Sequence, residues 1–229
     1  MNKRVPTRGE RQAETRRQIL DAASQAFARK GYHGASVGEI AETAGYTTGA
    51  IYSNFGGKEE VFVELIDAHI AAHLEQLATV GRDSDPYARR RHMLESIRGV
   101  VERLGNPERA RHTAGGSRLT PREMMMLSLE FLLYAVRERP ELHRSLGARW
   151  RQVDEGTGEA FRAMMDAPGA GHARLGPGEL AIAQACFVEG LALRLLHDPE
   201  LLSPDVAARL FDAVVLDAAG LSSPEDETS

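Results

Sequence analysis

The sequence predicts an all-α fold, in which a small N-terminal three-helix domain is followed by a larger helical domain. Apolar residues recur at the i, i+3, i+4 spacing of an amphipathic helix through most of the 229 residues. No segment alternates apolar and polar residues as a half-buried strand does. Proline and glycine divide the helical segments into lengths typical of a globular protein.

The helical segments are predicted from apolar spacing, capping residues and proline or glycine breaks. They are residues 15–30, 37–44, 48–54, 58–80, 86–104, 124–139, 141–165, 179–196 and 205–219, with a further short helix at 108–112. The segment 124–139 is so rich in apolar side chains that we expect it to be central and buried.

Two short helices joined by a tight turn form the most informative stretch. Ser36 and Glu39 have the spacing of a capping box, and Gly45 suits a left-handed residue at the end of the first helix. Thr47 or Thr48 can cap the second helix. This order predicts a helix-turn-helix motif, which places its second helix in the DNA major groove. The alternative is an ordinary helical hairpin with a polar outer face.

The second of these helices lacks the large apolar residues expected of a core helix. Only Ile51 and Phe55 are large enough to anchor it, and no acidic residue lies between Thr47 and Gly57. Its other side chains offer hydroxyl and amide groups to phosphates or base edges. Lys58, just beyond its end, can reach a phosphate.

The charge distribution favours a nucleic-acid partner despite a net charge of −5. Residues 1–58 hold nine Lys or Arg and five Asp or Glu, whereas the remainder holds 19 basic and 28 acidic residues. A basic N-terminal lobe on an acidic body is expected when that lobe meets phosphate.

The residue order over about residues 15–66 resembles the TetR family of bacterial transcription regulators. Phe27, Gly31, Tyr52, Phe55 and Lys58 all stand at the family's spacing. The resemblance implies that the second helix is a recognition helix. Four residues would face bases or nearby phosphates, namely Thr47, Thr48, Gly49 and Ala50. The residues expected at the DNA backbone are Tyr52, Asn54 and Lys58, with Ser36 beside them.

The chain divides into five predicted segments. A flexible basic arm (1–12) precedes the helix-turn-helix DNA-binding domain (13–57), and a connecting helix (58–80) leads to the ligand-binding and dimerisation domain (81–220). An acidic disordered tail (221–229) ends the chain. The arm is expected either to touch DNA or to be a solvated tail. The connecting helix is the expected mechanical link between the two domains.

Flexible methionine and aromatic side chains in the body are typical of an adaptable ligand pocket. The alternative is that they only fill a helical core, and both interpretations stay open. The candidate pocket residues are Met93, Ile97, Met124, Leu127, Phe131, Tyr134 and Phe187.

The last two helices are expected to form a homodimer interface. Their apolar lines can pair with those of a second copy as a four-helix bundle, which would hold two recognition helices at a fixed spacing. The candidate interface residues are Ile182, Leu191, Leu195, Val206, Leu210, Phe211 and Val214.

The sequence shows no motif of an enzyme, a cofactor site or a metal centre, so we expect no catalytic residue, no cofactor and no metal. His69 and His73 lie four residues apart, but no third ligand stands out, and structural histidines are the favoured interpretation. The single Cys186 excludes an internal disulfide. With no signal peptide and no long apolar run, the sequence predicts a cytoplasmic protein without a membrane partner.

These observations favour a dimeric transcription regulator, above all a repressor that binds a palindromic or near-palindromic double-stranded DNA operator. An unknown small apolar effector would release it from the operator. One alternative is a constitutive dimeric DNA-binding protein with no effector. The other is a helical small-molecule-binding protein whose DNA lobe has lost its function.

Overall fold

The computed structural model describes residues 7–81, 86–105, 119–167 and 170–221. These residues form helices and turns without a strand, which confirms the all-α prediction. The helices are α1 (Arg8–Gly34), α2 (Val37–Ala44), α3 (Thr48–Phe55), α4 (Lys58–Gly81), α5 (Pro86–Gly105), α6 (Pro121–Glu138), α7 (Pro140–Met165), α8 (Pro177–His197) and α9 (Pro204–Phe211), followed by a π-helical turn at Asp212–Leu216. Residues 1–6 of the predicted arm, the predicted short helix at 108–112 and the tail from residue 222 lie outside the described residues.

Helix α1 begins earlier than its apolar spacing predicts. Thr7 caps it, because its hydroxyl accepts from the Glu10 amide at 3.2 Å while the Glu10 carboxylate accepts from the Thr7 amide at 2.6 Å. The first turns carry charged residues without an apolar stripe, so hydrophobic periodicity does not reveal them. The prediction of a helix start near residue 15 is therefore wrong, and the predicted arm is helical from Arg8.

Two hydrophobic cores hold the helices together. The first core is shared between the N-terminal helices α1–α4 and the body helix α6, and it includes Phe27, Phe62 and Phe131. The second core joins α5, α7, α8 and α9, with Phe161 and Phe211 among its fully buried side chains. A three-helix domain of this size buries little surface alone. Here α4 and α6 complete its core.

Helix α6 is buried on one face only. Met124, Leu127 and Phe131 point into the first core, whereas Leu133 and Val136 are exposed. The prediction that this helix is central and buried therefore holds for one face only, because apolar composition does not tell which faces find a partner.

The C-terminal helix also departs from its predicted course. It stops being α-helical at Phe211, and the next turn is π-helical, with the Asp217 amide donating to the Asp212 carbonyl at 2.9 Å. The predicted continuous helix 205–219 is therefore interrupted.

Helix α8 is long and apolar enough to cross a membrane by length and composition alone. A core helix of a water-soluble protein passes the same test. In this structure Leu180, Leu191 and Leu195 of α8 are buried in the second core.

Candidate nucleic-acid interface

Helices α2 and α3 form the predicted helix-turn-helix, although its capping differs in one respect. The Ser36 hydroxyl accepts from the Glu39 amide at 3.2 Å, as a capping residue does. The Glu39 carboxylate does not return to Ser36 but pairs with Lys30 at 2.9 Å and Arg29 at 3.2 Å. The reciprocal half of the predicted capping box is therefore replaced by ion pairs between α2 and α1.

The turn between α2 and α3 is fixed to α1. Gly45 adopts a left-handed conformation with φ of +73°, and the Tyr46 amide donates to the Ala41 carbonyl at 2.9 Å. The Tyr46 hydroxyl donates to the Gln18 side chain at 2.7 Å. These bonds set the angle at which α3 leaves the turn.

Helix α3 is anchored by one side and presents the other to solvent. Thr47 is its cap, since the Thr47 hydroxyl accepts from the Ala50 amide at 3.2 Å. Ile51 is fully buried against the first core. Thr47, Thr48 and Gly49 are exposed, and Tyr52 is 57% exposed. This outward face is the one that a major groove would meet.

Two other predicted DNA contacts are only partly accessible. Ala50 and Asn54 are half-buried, and the Asn54 side-chain amide donates to the Ala50 carbonyl at 2.8 Å. Their contact with DNA stays a prediction. The exposed part of α3 offers hydroxyl groups and a bare backbone at Gly49, which suits phosphate contact and close approach.

Arg16 is a structural residue, although from the sequence alone it counts only toward the basic charge of the lobe. Its guanidinium bonds the Asn54 carbonyl and pairs with Glu64 at 2.5 Å, and it lies 4.2 Å from the centre of the Phe55 ring. Arg16 therefore joins α1, α3 and α4. No periodicity could reveal this contact, since it depends on the crossing of three helices.

Lys58 is also more than a surface cation. Its ammonium donates to the carbonyls of Tyr32 and Ala35, each at 2.9 Å, and lies 4.5 Å from the centre of the Tyr32 ring. Partial burial lowers the pKa of this ammonium. An ammonium has three N–H donors, so one remains for a phosphate. The predicted DNA contact of Lys58 stays a prediction.

We expect Lys58→Met to lower the free energy of unfolding by about 1–3 kcal/mol, because two carbonyls lose a charged donor. Lys30→Met is the matched control, since it removes an exposed ion pair worth about 0–1 kcal/mol. Urea denaturation followed by circular dichroism measures both. Equal losses in the two variants would show that the contacts of Lys58 contribute no more than a surface ion pair.

Comparison with known proteins identifies the motif. Residues 19–65, which span α2, α3 and parts of α1 and α4, match the family described as bacterial regulatory proteins, tetR family. This part of the chain matches the TetR family. The expectation of a non-enzymatic protein agrees with this assignment, since the relatives that match are regulators of transcription.

Curated relatives match less than half of the chain. The chain is 33% identical over 101 residues to the transcriptional repressor AcnR of Corynebacterium efficiens, covering 44% of this chain and 46% of AcnR. It is 40% identical over 72 residues to the transcriptional regulator TtgR of Pseudomonas putida, covering 31% of this chain and 34% of TtgR. The matches thus span less than half of each relative.

A solved TetR-family structure extends the similarity of fold over nearly the whole chain. A transcriptional regulator of this family from Mesorhizobium loti superposes with a TM-score of 0.66 at 20% identity, covering 93% of this chain and 97% of that protein. At this identity the likeness concerns the fold alone.

The helix-turn-helix domain is bonded to the body through α6 as well as through α4. The Glu130 carboxylate on α6 accepts from the Tyr32 amide at 2.8 Å. It lies against Gly31, whose φ is +71° and whose missing side chain leaves the space that the carboxylate occupies. The Tyr134 hydroxyl on α6 donates to Glu59 in the first turn of α4 at 2.6 Å. We call these contacts the α6 junction.

The seven residues predicted to line one pocket do not share a cavity. Four of them pack in or against the first core, namely Met124, Leu127, Phe131 and Tyr134. Phe187 packs against Phe211, with ring centres 5.4 Å apart. These contacts favour the core interpretation for the four residues of α6, which turns its aromatic face toward the DNA-binding domain, and for Phe187 of α8.

Met93 and Ile97 do line a cavity in the body. It has a volume of about 50 Å³ and lies among α4, α5, α7, α8 and α9. His73 also lines this cavity and belongs to no group of possible metal ligands among the described residues. Among the described residues, no three His, Cys, Asp or Glu side chains group as a metal site requires.

The predicted dimer residues fall into two sets. Leu191, Leu195 and Phe211 are buried in the second core of a single copy, so their assignment to an interface is wrong. Ile182, Leu210 and Val214 are large apolar residues that remain exposed, and Val206 is half-buried. Helical periodicity marks all seven as apolar positions but does not tell which of them the chain's own helices cover.

Proposed function

We propose that this chain is a DNA-binding transcription regulator and, by analogy with the repressor AcnR, a repressor that acts in the cytoplasm. The observation that supports this most is the outward face of α3. Thr47, Thr48, Gly49 and Tyr52 form an exposed surface free of acidic side chains on a helix whose angle is fixed by Arg16. A duplex can approach such a surface without like-charge repulsion.

The proposed partner is a palindromic or near-palindromic double-stranded operator. To test it, the full chain is mixed with fragmented genomic DNA, and bound fragments are recovered and sequenced. We expect enrichment of fragments that contain an inverted repeat, with half-sites about one helical turn or a multiple of it apart. Recovery of fragments without a shared sequence would leave only non-specific binding and would contradict the proposal.

We propose that the regulator is a homodimer that pairs through α8, α9 and the π-helical turn. Ile182 and Val214 are 57% and 56% exposed, and Leu210 adds a third large apolar side chain. Exposed apolar residues of this size on two neighbouring helices are typical of an interface between copies.

The double variant Leu210→Glu, Val214→Glu is expected to be monomeric, because it places charges within an apolar interface. Sedimentation velocity at micromolar concentration measures the effect. Leu133→Glu is the control, since Leu133 is 53% exposed on α6 and lies outside the proposed interface. A double variant that sediments as a dimer would remove this assignment.

We propose, further, that a small molecule bound in the body releases the regulator from DNA. The cavity in the body is lined by His73 and Gln76 of α4, the helix that begins at Lys58 beside α3. A ligand can lower DNA affinity only if it binds the DNA-free conformation more tightly. Operator DNA must therefore weaken ligand binding by the same factor, and equal ligand affinity with and without operator would favour the constitutive alternative.

A further inference from the structure

The cavity in the body combines an apolar wall with hydrogen-bonding groups. Met93, Ile97 and Phe161 form part of its apolar surface. Gln184 of α8 and Thr157 of α7 contribute polar atoms. Most pockets that select a small molecule share this composition, with the polar groups fixing the orientation of the ligand.

Gln184 has an unused acceptor. Its side-chain oxygen Oε1 is buried and has no hydrogen-bond partner among the described residues. A buried polar atom without a partner is uncommon and unfavourable, and a hydroxyl or N–H placed beside it removes that cost. A ligand that places a hydrogen-bond donor beside Gln184 would therefore satisfy this oxygen.

The cavity also selects against ions. No Asp, Glu, Lys or Arg is among the side chains that line it within the described residues. Burial lowers the pKa of the His73 imidazole and thus disfavours its charged form. Transfer of a charged group into such surroundings is costly when no opposite charge lies there.

The volume of about 50 Å³ is too small for an organic ligand without movement of a wall. An apolar cavity of about 150 Å³ is known to hold benzene, and a water molecule occupies about 30 Å³ of the liquid. The flexible Met93 and Met164 can change conformation to widen the cavity. His73 and Gln76 of α4 also line the cavity, so a ligand that needs more space would press on this helix.

We infer that the cavity binds an uncharged, mainly apolar small molecule that carries one hydrogen-bond donor, and that this donor bonds Gln184 Oε1. The effect on DNA rests on the proposed function, whereas the binding itself does not. Gln184 thus acts as the residue that distinguishes a ligand with a hydroxyl from a pure hydrocarbon of the same shape.

Phenol and toluene test this inference, because they have nearly the same shape and differ in one donor. Isothermal titration of the full chain measures both, with benzoate as the anionic probe. We expect saturable binding of phenol that is roughly 2- to 10-fold tighter than that of toluene, which corresponds to one neutral hydrogen bond. Benzoate is expected to bind more weakly than either.

Gln184→Leu is the deciding variant, since it keeps a side chain of similar size without the acceptor. It should bind toluene as the wild type does and lose the preference for phenol. Gln184→Met serves the same purpose if the leucine variant does not fold. Ala160→Leu, which fills the cavity, should weaken both probes.

An unchanged ratio of phenol to toluene affinity in the Gln184 variants would overturn the inference, as would tighter binding of benzoate or no saturable binding at all. A gel shift with ligand-free protein separates this inference from the proposed function. Operator binding without probe binding overturns the ligand inference alone, and probe binding without operator binding overturns the regulator proposal alone.

Discussion

Phe131→Ala is expected to lower the free energy of unfolding by about 3–5 kcal/mol, the usual cost of removing a fully buried aromatic side chain. Phe131 is 0% exposed, and its ring centre lies 4.7 Å from that of Tyr32 on α1 and 4.6 Å from that of Phe62 on α4. Three helices surround the side chain, so the structure cannot collapse easily into the space that the substitution leaves.

Leu133→Ala is the matched control, because Leu133 lies on the exposed face of the same helix. Leu133→Ala is expected to lower the free energy of unfolding by no more than about 0.5 kcal/mol. Urea denaturation followed by circular dichroism compares the two. If Phe131→Ala cost no more than Leu133→Ala, the first core would not be shared between the DNA-binding domain and α6.

Gly31→Ala is expected to lower the free energy of unfolding by about 3 kcal/mol, and this loss has two sources. A non-glycine residue with a φ of +71° and a ψ of 175° carries strain of about 1–3 kcal/mol. The added Cβ would also lie 2.8 Å from the Glu130 carboxylate. That carboxylate must then move and give up its bond to the Tyr32 amide, and hydrogen bonds to charged groups contribute about 1.5–3 kcal/mol.

A Glu130→Ala background separates these two sources, because it removes the carboxylate that the added Cβ would meet. In that background Gly31→Ala should cost only the backbone strain, about 1–3 kcal/mol. An equal Gly31→Ala loss in the wild-type and Glu130→Ala backgrounds would mean that the bond between Glu130 and Tyr32 contributes nothing.

The α6 junction adds a second mechanical connection between the body and the DNA-binding domain. The sequence suggested α4 alone as the mechanical link. In the structure, Glu130 bonds α1 and Tyr134 bonds the first turn of α4, so a displacement of α6 would also act on α1 and on the start of α4 through these contacts. Coupling between sites is carried by packed side chains, hydrogen bonds and rigid helices of this kind when they have two discrete arrangements.

Most helix boundaries could be predicted because local chemistry decides them. Pro86, Pro121, Pro140 and Pro204 each stand at the start of a helix, where a missing N–H carries no cost. Gly45 ends α2 in the expected left-handed conformation. The start of α1 was missed because Thr7 and Glu10 define it through capping, whereas the prediction followed apolar spacing.

The roles of individual side chains were harder to predict, because they depend on which helices become neighbours. Arg16 and Lys58 counted as basic charges for DNA, yet both bond carbonyl groups across helices. Phe131 and Tyr134 have the character of pocket residues, yet they pack with the DNA-binding domain. Apolar spacing identifies a helix face that is expected to be buried, whereas only the tertiary arrangement shows which helix buries it.

The most direct test of the proposed DNA interface is the affinity of Tyr52→Ala for an operator fragment, measured by fluorescence anisotropy at low salt. Trp150→Ala is the control, since Trp150 is an exposed aromatic residue on α7. Loss of a hydrogen bond to phosphate in each subunit is expected to weaken Tyr52→Ala by about tenfold or more, while Trp150→Ala binds as the wild type does. Wild-type affinity in Tyr52→Ala would contradict the docking of α3 on DNA.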